Sequence, residues 1–186
     1  MGIREWFTRG GAHRVDRRLR HWRQLWSKAE TAEGRGEIAA LQAELDSIGL
    51  PEEEIEIERE MLQALIDRHA VAASIRESGL PNIETGHRVV RGEPCHYSEP
   101  VSMPDEPAQP SGRLLLTATR AIFVGSGKTL NMPWHTIGTA FHTERDVLLV
   151  RNGREHAHRF RCNTYGDALR AIVIGREILS RNGRRG

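Results

Sequence analysis

The chain is poor in cysteine, in aromatic residues and in long apolar runs. Its two cysteines, Cys95 and Cys162, can close one bridge at most, which excludes a disulfide-stapled framework. Neither stands in a Cys-x-x-Cys pair, so two reduced thiols are expected and no catalytic or metal role is assigned to them. Aromatics make up 5% of the residues. No stacking pattern for single strands and no groove-reading helix stands out, so nucleic acid is not an expected partner. No apolar run approaches the ~18 residues of a membrane-spanning helix. Met1 to Lys28 is rich in arginine and lacks the apolar centre of a secretory signal. These absences predict a cytoplasmic protein, with peripheral attachment to a membrane as the alternative.

What the chain does contain suits a buried core. Of its 186 residues 38% are hydrophobic and 28% charged, enough for one ordinary domain with an appendage or for two small ones. The net charge of +2 conceals a segregation. Residues 1–28 carry eight Arg/Lys against Glu5 and Asp16, residues 29–84 carry four Arg against fourteen acids, and residues 85–186 carry fifteen Arg/Lys against nine acids. Such blocks point to segments that meet one another or a charged partner, or to solvated helix faces.

Hydrophobic spacing divides the chain in two. Val15, Leu19, Trp22 and Trp26 fall on one helical stripe between about His13 and Ala29. Ile38, Leu41, Leu45 and Ile48 mark a second helix that starts near Arg35 and stops at Gly49. A third starts at Pro51, with Glu52, Glu53 and Glu54 where the helix dipole favours acids, and runs to about Ser78. Its inward side is expected to hold Ile55, Leu62, Leu65, Ile66, His69, Ala72 and Ile75, in coiled-coil or hairpin packing. Beyond Pro81 the period changes to two. Strands are predicted at His87–Glu93, Cys95–Met103, Arg113–Thr119, Arg120–Gly125, Leu130–Trp134, Ile137–Thr143, Val147–Arg151 and Glu155–Asn163, with Asn152-Gly153 as a two-residue hairpin turn. A last helix is expected from Tyr165 to about Ser180, burying Ala168, Leu169, Ile172, Val173 and Leu179. The predicted fold is α+β: a helical arm over residues 1–80, then an antiparallel barrel over 85–186 whose open end is closed by the C-terminal helix.

Several residues of the second part look like those of a known group. Gly112-Arg-Leu-Leu-Leu-Thr117-Ala-Thr-Arg120-Ala-Ile-Phe123, then Met132-Pro-Trp134-His-Thr-Ile137, then Val147-Leu-Leu-Val150 and His158-Arg-Phe160 before a helix, resemble the GRAM and bacterial pleckstrin-homology-like (PH-like) domains. The resemblance covers roughly residues 85–180 and departs from the pattern at Cys162, where an aromatic often stands. It implies a barrel that binds lipid headgroups, peptides or a partner protein and catalyses nothing. Lipid-binding members set several Lys/Arg around the first hairpin. Arg88 and Arg91 match that loosely, and Lys128 is the single lysine of the barrel.

Five further features bear on chemistry. Gly125-Ser-Gly-Lys-Thr129 reads as a β-hairpin with Gly125-Ser-Gly127 as its turn, or as the end of a phosphate-binding loop, which would make a nucleotide enzyme using Lys128 and Thr129. The glycine required five residues before Gly127 is Ile122, and Pro133 opposes the helix that must follow. His156 and His158 share a strand face and suggest zinc, with His142 and His96 as further ligands; His96 beside Cys95 diverges from it along a strand. Arg145, Arg151, Arg154, Arg159 and Arg161 make a candidate basic patch around the Asn152-Gly153 turn, for a partner protein or the acidic third helix. Trp6, Phe7, Trp22 and Trp26 beside basic residues have the composition of an interfacial membrane helix, or else pack onto the second and third helices. No cofactor, metal or catalytic residue is predicted. The expected partner is a protein or peptide, then an anionic membrane surface, with self-association through the helical arm as a further prospect.

Overall fold

The computed structural model describes residues 3–31, 36–90, 92–153 and 157–183, with the side chains of 3–14, 31 and 36 outside that description. The chain forms two compact units, residues 1–66 and 67–186. Helix α1 spans Ile3–Thr31, α2 Gly36–Ile48 and α3 Glu56–Ser78, the last running through the division between the units.

The helical unit is built on the stripe that the sequence marks. Trp22 is 0% and Trp26 4% exposed. Each indole donates its N–H to a neighbouring helix, Trp22 to the Leu41 carbonyl at 2.8 Å and Trp26 to that of Met61 at 2.7 Å. Large rings bury much apolar area while their one polar atom stays bonded, so they set the spacing of the three helices. Leu41, Leu45, Ile48, Ile55, Leu62 and Leu65 complete this core. Ile66 is a correction: with Leu65 turned fully inward, its sequence neighbour lies about 100° round the helix and is 37% exposed. Pro51 leads into a single 3-10 turn at Glu52–Glu54, and α3 proper starts at Glu56.

The second unit holds the end of α3, seven antiparallel strands and α4, Tyr165–Gly183. The strands are β1 Cys95–Ser102, β2 Ser111–Thr117, β3 Arg120–Gly125, β4 Lys128–Pro133, β5 Ile137–Thr143, β6 Asp146–Arg151 and β7 Ala157–Cys162. They form one sheet in the order β4-β3-β2-β1-β7-β6-β5, so the two halves meet where β1 lies beside β7. That contact is short, Val101 opposite Cys162 and Ser102 opposite Arg161. The core includes Tyr97, Val101, Leu114, Leu116, Phe123, Trp134, Val147, Leu149 and Phe160, closed by Ala168, Ile172, Ile174 and Ile178 of α4. Val173 and Leu179, expected on the buried side of α4, are only partly covered.

β2 and β3 are buried on both faces. Leu115 and Ile122 are register partners and turn away from Leu114 and Leu116, to pack with Val90 and Cys95. The cover for that outer face is a 3-10 turn at Arg88–Val90, standing where a strand over His87–Glu93 is expected. Glu93 pins it: the carboxylate accepts from Thr117 Oγ1 at 2.8 Å, from Thr119 Oγ1 and from Arg120 Nη2 at 2.6 Å. Burial alone would raise the Glu93 carboxyl, but those hydrogen bonds and the Arg120 charge outweigh it and hold it below its ordinary value. Among the described residues no helix is long and apolar enough to cross a membrane.

Candidate functional site

The glycine-rich stretch is a hairpin. Gly125 pairs with Lys128 in the ladder, Ser126-Gly127 makes the turn and Gly127 has φ +72°, a conformation that side chains rarely adopt. A strand follows Lys128 where a phosphate loop needs a helix, and Lys128 Nζ lies 2.7 Å from Glu106 Oε2. The hairpin favoured by Ile122 and Pro133 is what forms, and the nucleotide-loop alternative lacks the helix it needs after Lys128, whose charge is met by Glu106.

The arginines proposed as one patch are divided. Arg159 Nε and Arg161 Nε bond the two oxygens of Asp146 at 2.7 and 2.8 Å, and Asp146 is 3% exposed. Arg159 also reaches Asp105, so the carboxylates met are those of Asp146 and Asp105. Arg145 stacks its guanidinium over Tyr165, 5.1 Å from the ring centre. Arg151 lies at the other end of β6 from Asp146, roughly 17 Å away at the rise of an antiparallel strand. Register partners Val150 and Ala157 leave six residues between them, of which 154–156 lie outside the described residues, so the Asn152-Gly153 turn is described only in part. Arg154 and His156 lie outside the described residues, as does Arg91. Arg88 is exposed on its 3-10 turn.

Burial raises Asp146, yet the bonds and charges of Arg161 and Arg159 prevail and keep it ionised below the ordinary carboxylate value. His158 is pushed down by burial and then by Arg151. Among the described residues no group of three His, Cys, Asp or Glu is placed to hold a metal. Cys95 donates to the Tyr97 carbonyl at 3.2 Å, while His96 Nδ1 lies 2.6 Å from the Pro81 carbonyl, so thiol and imidazole do diverge. Cys162 sits 3.8 Å from the Tyr97 hydroxyl, and burial pushes its thiol up to about 12. Neither thiol is an available nucleophile at neutral pH. Trp22 and Trp26 face the helical core, which removes them from any membrane-facing surface; the side chains of Trp6 and Phe7 lie outside the description.

The second unit has a groove of about 200 Å³ between the end of α3, the segment after it, β1 and α4. Val71, Ile75, Ile83 and Ile174 give it an apolar floor, and His96, Glu99 and Arg170 supply polar groups. Ile83 is 38% exposed and donates its backbone N–H to the Cys95 carbonyl at 2.7 Å, an isolated bridge onto β1. Sequence reading missed this place, because four separate segments make it. One signal was present: Glu99 is an acid at an inward position of a predicted strand.

Strand order, register and the closing helix define a PH-like α+β fold. No family model and no curated protein matches the chain. Among solved structures it is similar to one reported for the PH and C1 domains of the Vav1 exchange factor, at 9% identity and a TM-score of 0.40. The likeness covers 89% of this chain and 45% of that one, so the chain spans less than half of the neighbour's length.

Proposed function

We propose that the chain is a non-catalytic, GRAM-like binding module: a helical arm over residues 1–80 ahead of a PH-like barrel over 85–186 that docks a protein or peptide. The observation that carries this reading is the groove between β1 and α4, with an apolar floor, a few convergent polar groups and the exposed Ile83 at its margin. A grafted partner needs such a combination of apolar contact and fixed polar direction. The test is selection of random linear peptides on the immobilised full chain and on Ile83→Glu. Because Ile83 is exposed, the variant should fold normally and lose the selected peptides. Enrichment of the same peptides by both proteins would place binding elsewhere, and no enrichment by the folded wild type would remove the reading.

Membrane association, the alternative, loses support from Trp22 and Trp26, whose rings are inside the helical unit. Flotation with phosphatidylcholine vesicles containing phosphatidylserine separates the two readings. Flotation of the full chain with these vesicles, and not with phosphatidylcholine alone, would favour the membrane.

A further inference from the structure

β1 carries an acid on the face that builds the core. Alternation puts Tyr97, Glu99 and Val101 on one side of the strand. Tyr97 and Val101 are buried there, while Glu99 turns its side chain, 31% exposed, into the groove. Its polar contact is Arg170 Nη2 at 3.3 Å, and the same nitrogen is held closer by Asp167, at 2.6 Å. Two carboxylates share one guanidinium, so the Glu99 end of the groove keeps negative charge that its own neighbours leave uncompensated. The apolar floor formed by Val71, Ile75 and Ile174 lowers the local dielectric and makes that charge count for more than it would in open water.

The backbone beside Glu99 also lacks a strand partner on one edge, although the Ser98 carbonyl accepts from Arg113 Nη1 at 3.0 Å. On the edge away from β2, β1 is bridged to Ile83 at Cys95 and joins β7 at Val101 and Ser102. No strand among the described residues takes the stretch between. An extended chain laid along such an edge presents alternate side chains to the same side, so one anchors in the groove and the next on that side reaches the polar end.

We infer that the occupant of the groove is an extended segment of a partner protein in which an apolar residue is followed, at the next position on the same face, by lysine or arginine. The apolar side chain seats against Ile75, Ile83 and Ile174, and the cation bonds Glu99. This rests on the docking function proposed above and narrows it to one class of ligand.

The experiment compares peptides selected from a random linear display library by the full-length wild type, Glu99→Gln and Glu99→Arg, with melting curves confirming that each is folded. The wild type should enrich Lys or Arg beside an apolar anchor, and Glu99→Arg should reverse the preference to Asp or Glu. A peptide chosen by the wild type should bind Glu99→Gln about five- to tenfold more weakly, the scale of one charge-assisted hydrogen bond at a part-exposed site. Ile83-dependent peptides with no basic preference, or a preference unmoved by Glu99→Arg, would overturn the inference and leave docking intact. Absence of any Ile83-dependent peptide would remove both. If Glu99→Arg does not fold, the affinity loss on the isosteric Glu99→Gln decides the matter.

Discussion

Trp134 donates its indole N–H to the carbonyl of Thr117 at 2.8 Å, with the ring 2% exposed in the barrel core. The bond joins two segments that are separate in sequence: the Leu-Thr end of β2 and the Pro-Trp step after β4. Thr117 is itself a local organiser: its one hydroxyl proton is shared between Glu93 Oε2 at 2.8 Å and the Arg120 carbonyl at 2.9 Å, while its oxygen accepts from the Arg120 N–H. Trp134→Phe keeps most of the ring and removes the donor. It should lower unfolding stability by about 1–2 kcal/mol, the usual cost of leaving a buried acceptor without its partner. Urea unfolding at neutral pH checks this, and a loss below a few tenths would show that another donor replaces the indole.

Gly112 opens the β2 motif for a reason of space. A Cβ there would stand 2.3 Å from the Val124 carbonyl oxygen and 2.6 Å from Gly125 Cα, both backbone atoms of the partner strand. Neither can rotate away, so Gly112→Ala should separate the start of the β2–β3 ladder and cost at least about 2 kcal/mol, as overpacking does where the neighbour is rigid. Hydrogen exchange at Arg113 and Val124, which are register partners, should rise above that of the wild type while amides of the helical unit stay unchanged. Equal exchange at both strands would contradict the steric account.

Much of this fold is legible because local pattern and long-range packing agree. Leu41, Leu45 and Ile48 of α2 recur at helical spacing and are buried as the spacing requires. Agreement ends where a segment is covered on two faces. Leu114, Leu115 and Leu116 are all buried, so period two alone cannot say which of them builds the barrel interior. Val89 and Val90 look like strand residues, yet Gly92, with φ +79°, follows and Val90 serves as a plug on the outer sheet face. Asp146 reads in sequence as a turn acid, and only the pairing of β6 with β7 brings Arg159 and Arg161 to it. The groove is less legible still, since Ile75, Ile83, Glu99 and Ile174 gain meaning only once α3, β1 and α4 converge.

The Asp146 cluster and Glu93 predict acid sensitivity with a definite sign. Both carboxyls are held below their ordinary value in the folded chain. The stability they contribute is therefore full above the unfolded carboxylate range, about pH 4, and is lost as pH falls through their lower folded values. Urea midpoints measured from neutral pH down to about pH 3 should fall most steeply below pH 4, and less steeply in Asp146→Asn and Glu93→Gln. At neutral pH Asp146→Asn should cost on the order of 2 kcal/mol, because it weakens charge-assisted bonds to arginines that are themselves part-exposed and free to return to water. A wild-type slope retained in both variants would assign the acid sensitivity to other groups.

Trp22 and Trp26 decide how α1 is used. Both rings lie inside the helical unit and both N–H groups are bonded to backbone carbonyls of its other helices. Trp22→Ala should remove about 3–5 kcal/mol, the range for deleting a fully buried large ring. A protein that inserts α1 into a bilayer through these residues must first expose them, losing the same packing before any gain from lipid. Emission from a variant that retains Trp22 and Trp26, with Trp6 and Trp134 replaced by phenylalanine, should therefore be blue-shifted in buffer and unchanged on adding phosphatidylserine vesicles. A vesicle-dependent change in that emission, with flotation of the full chain, would show that the helical unit opens at the membrane and that its basic α1 is a lipid-facing element.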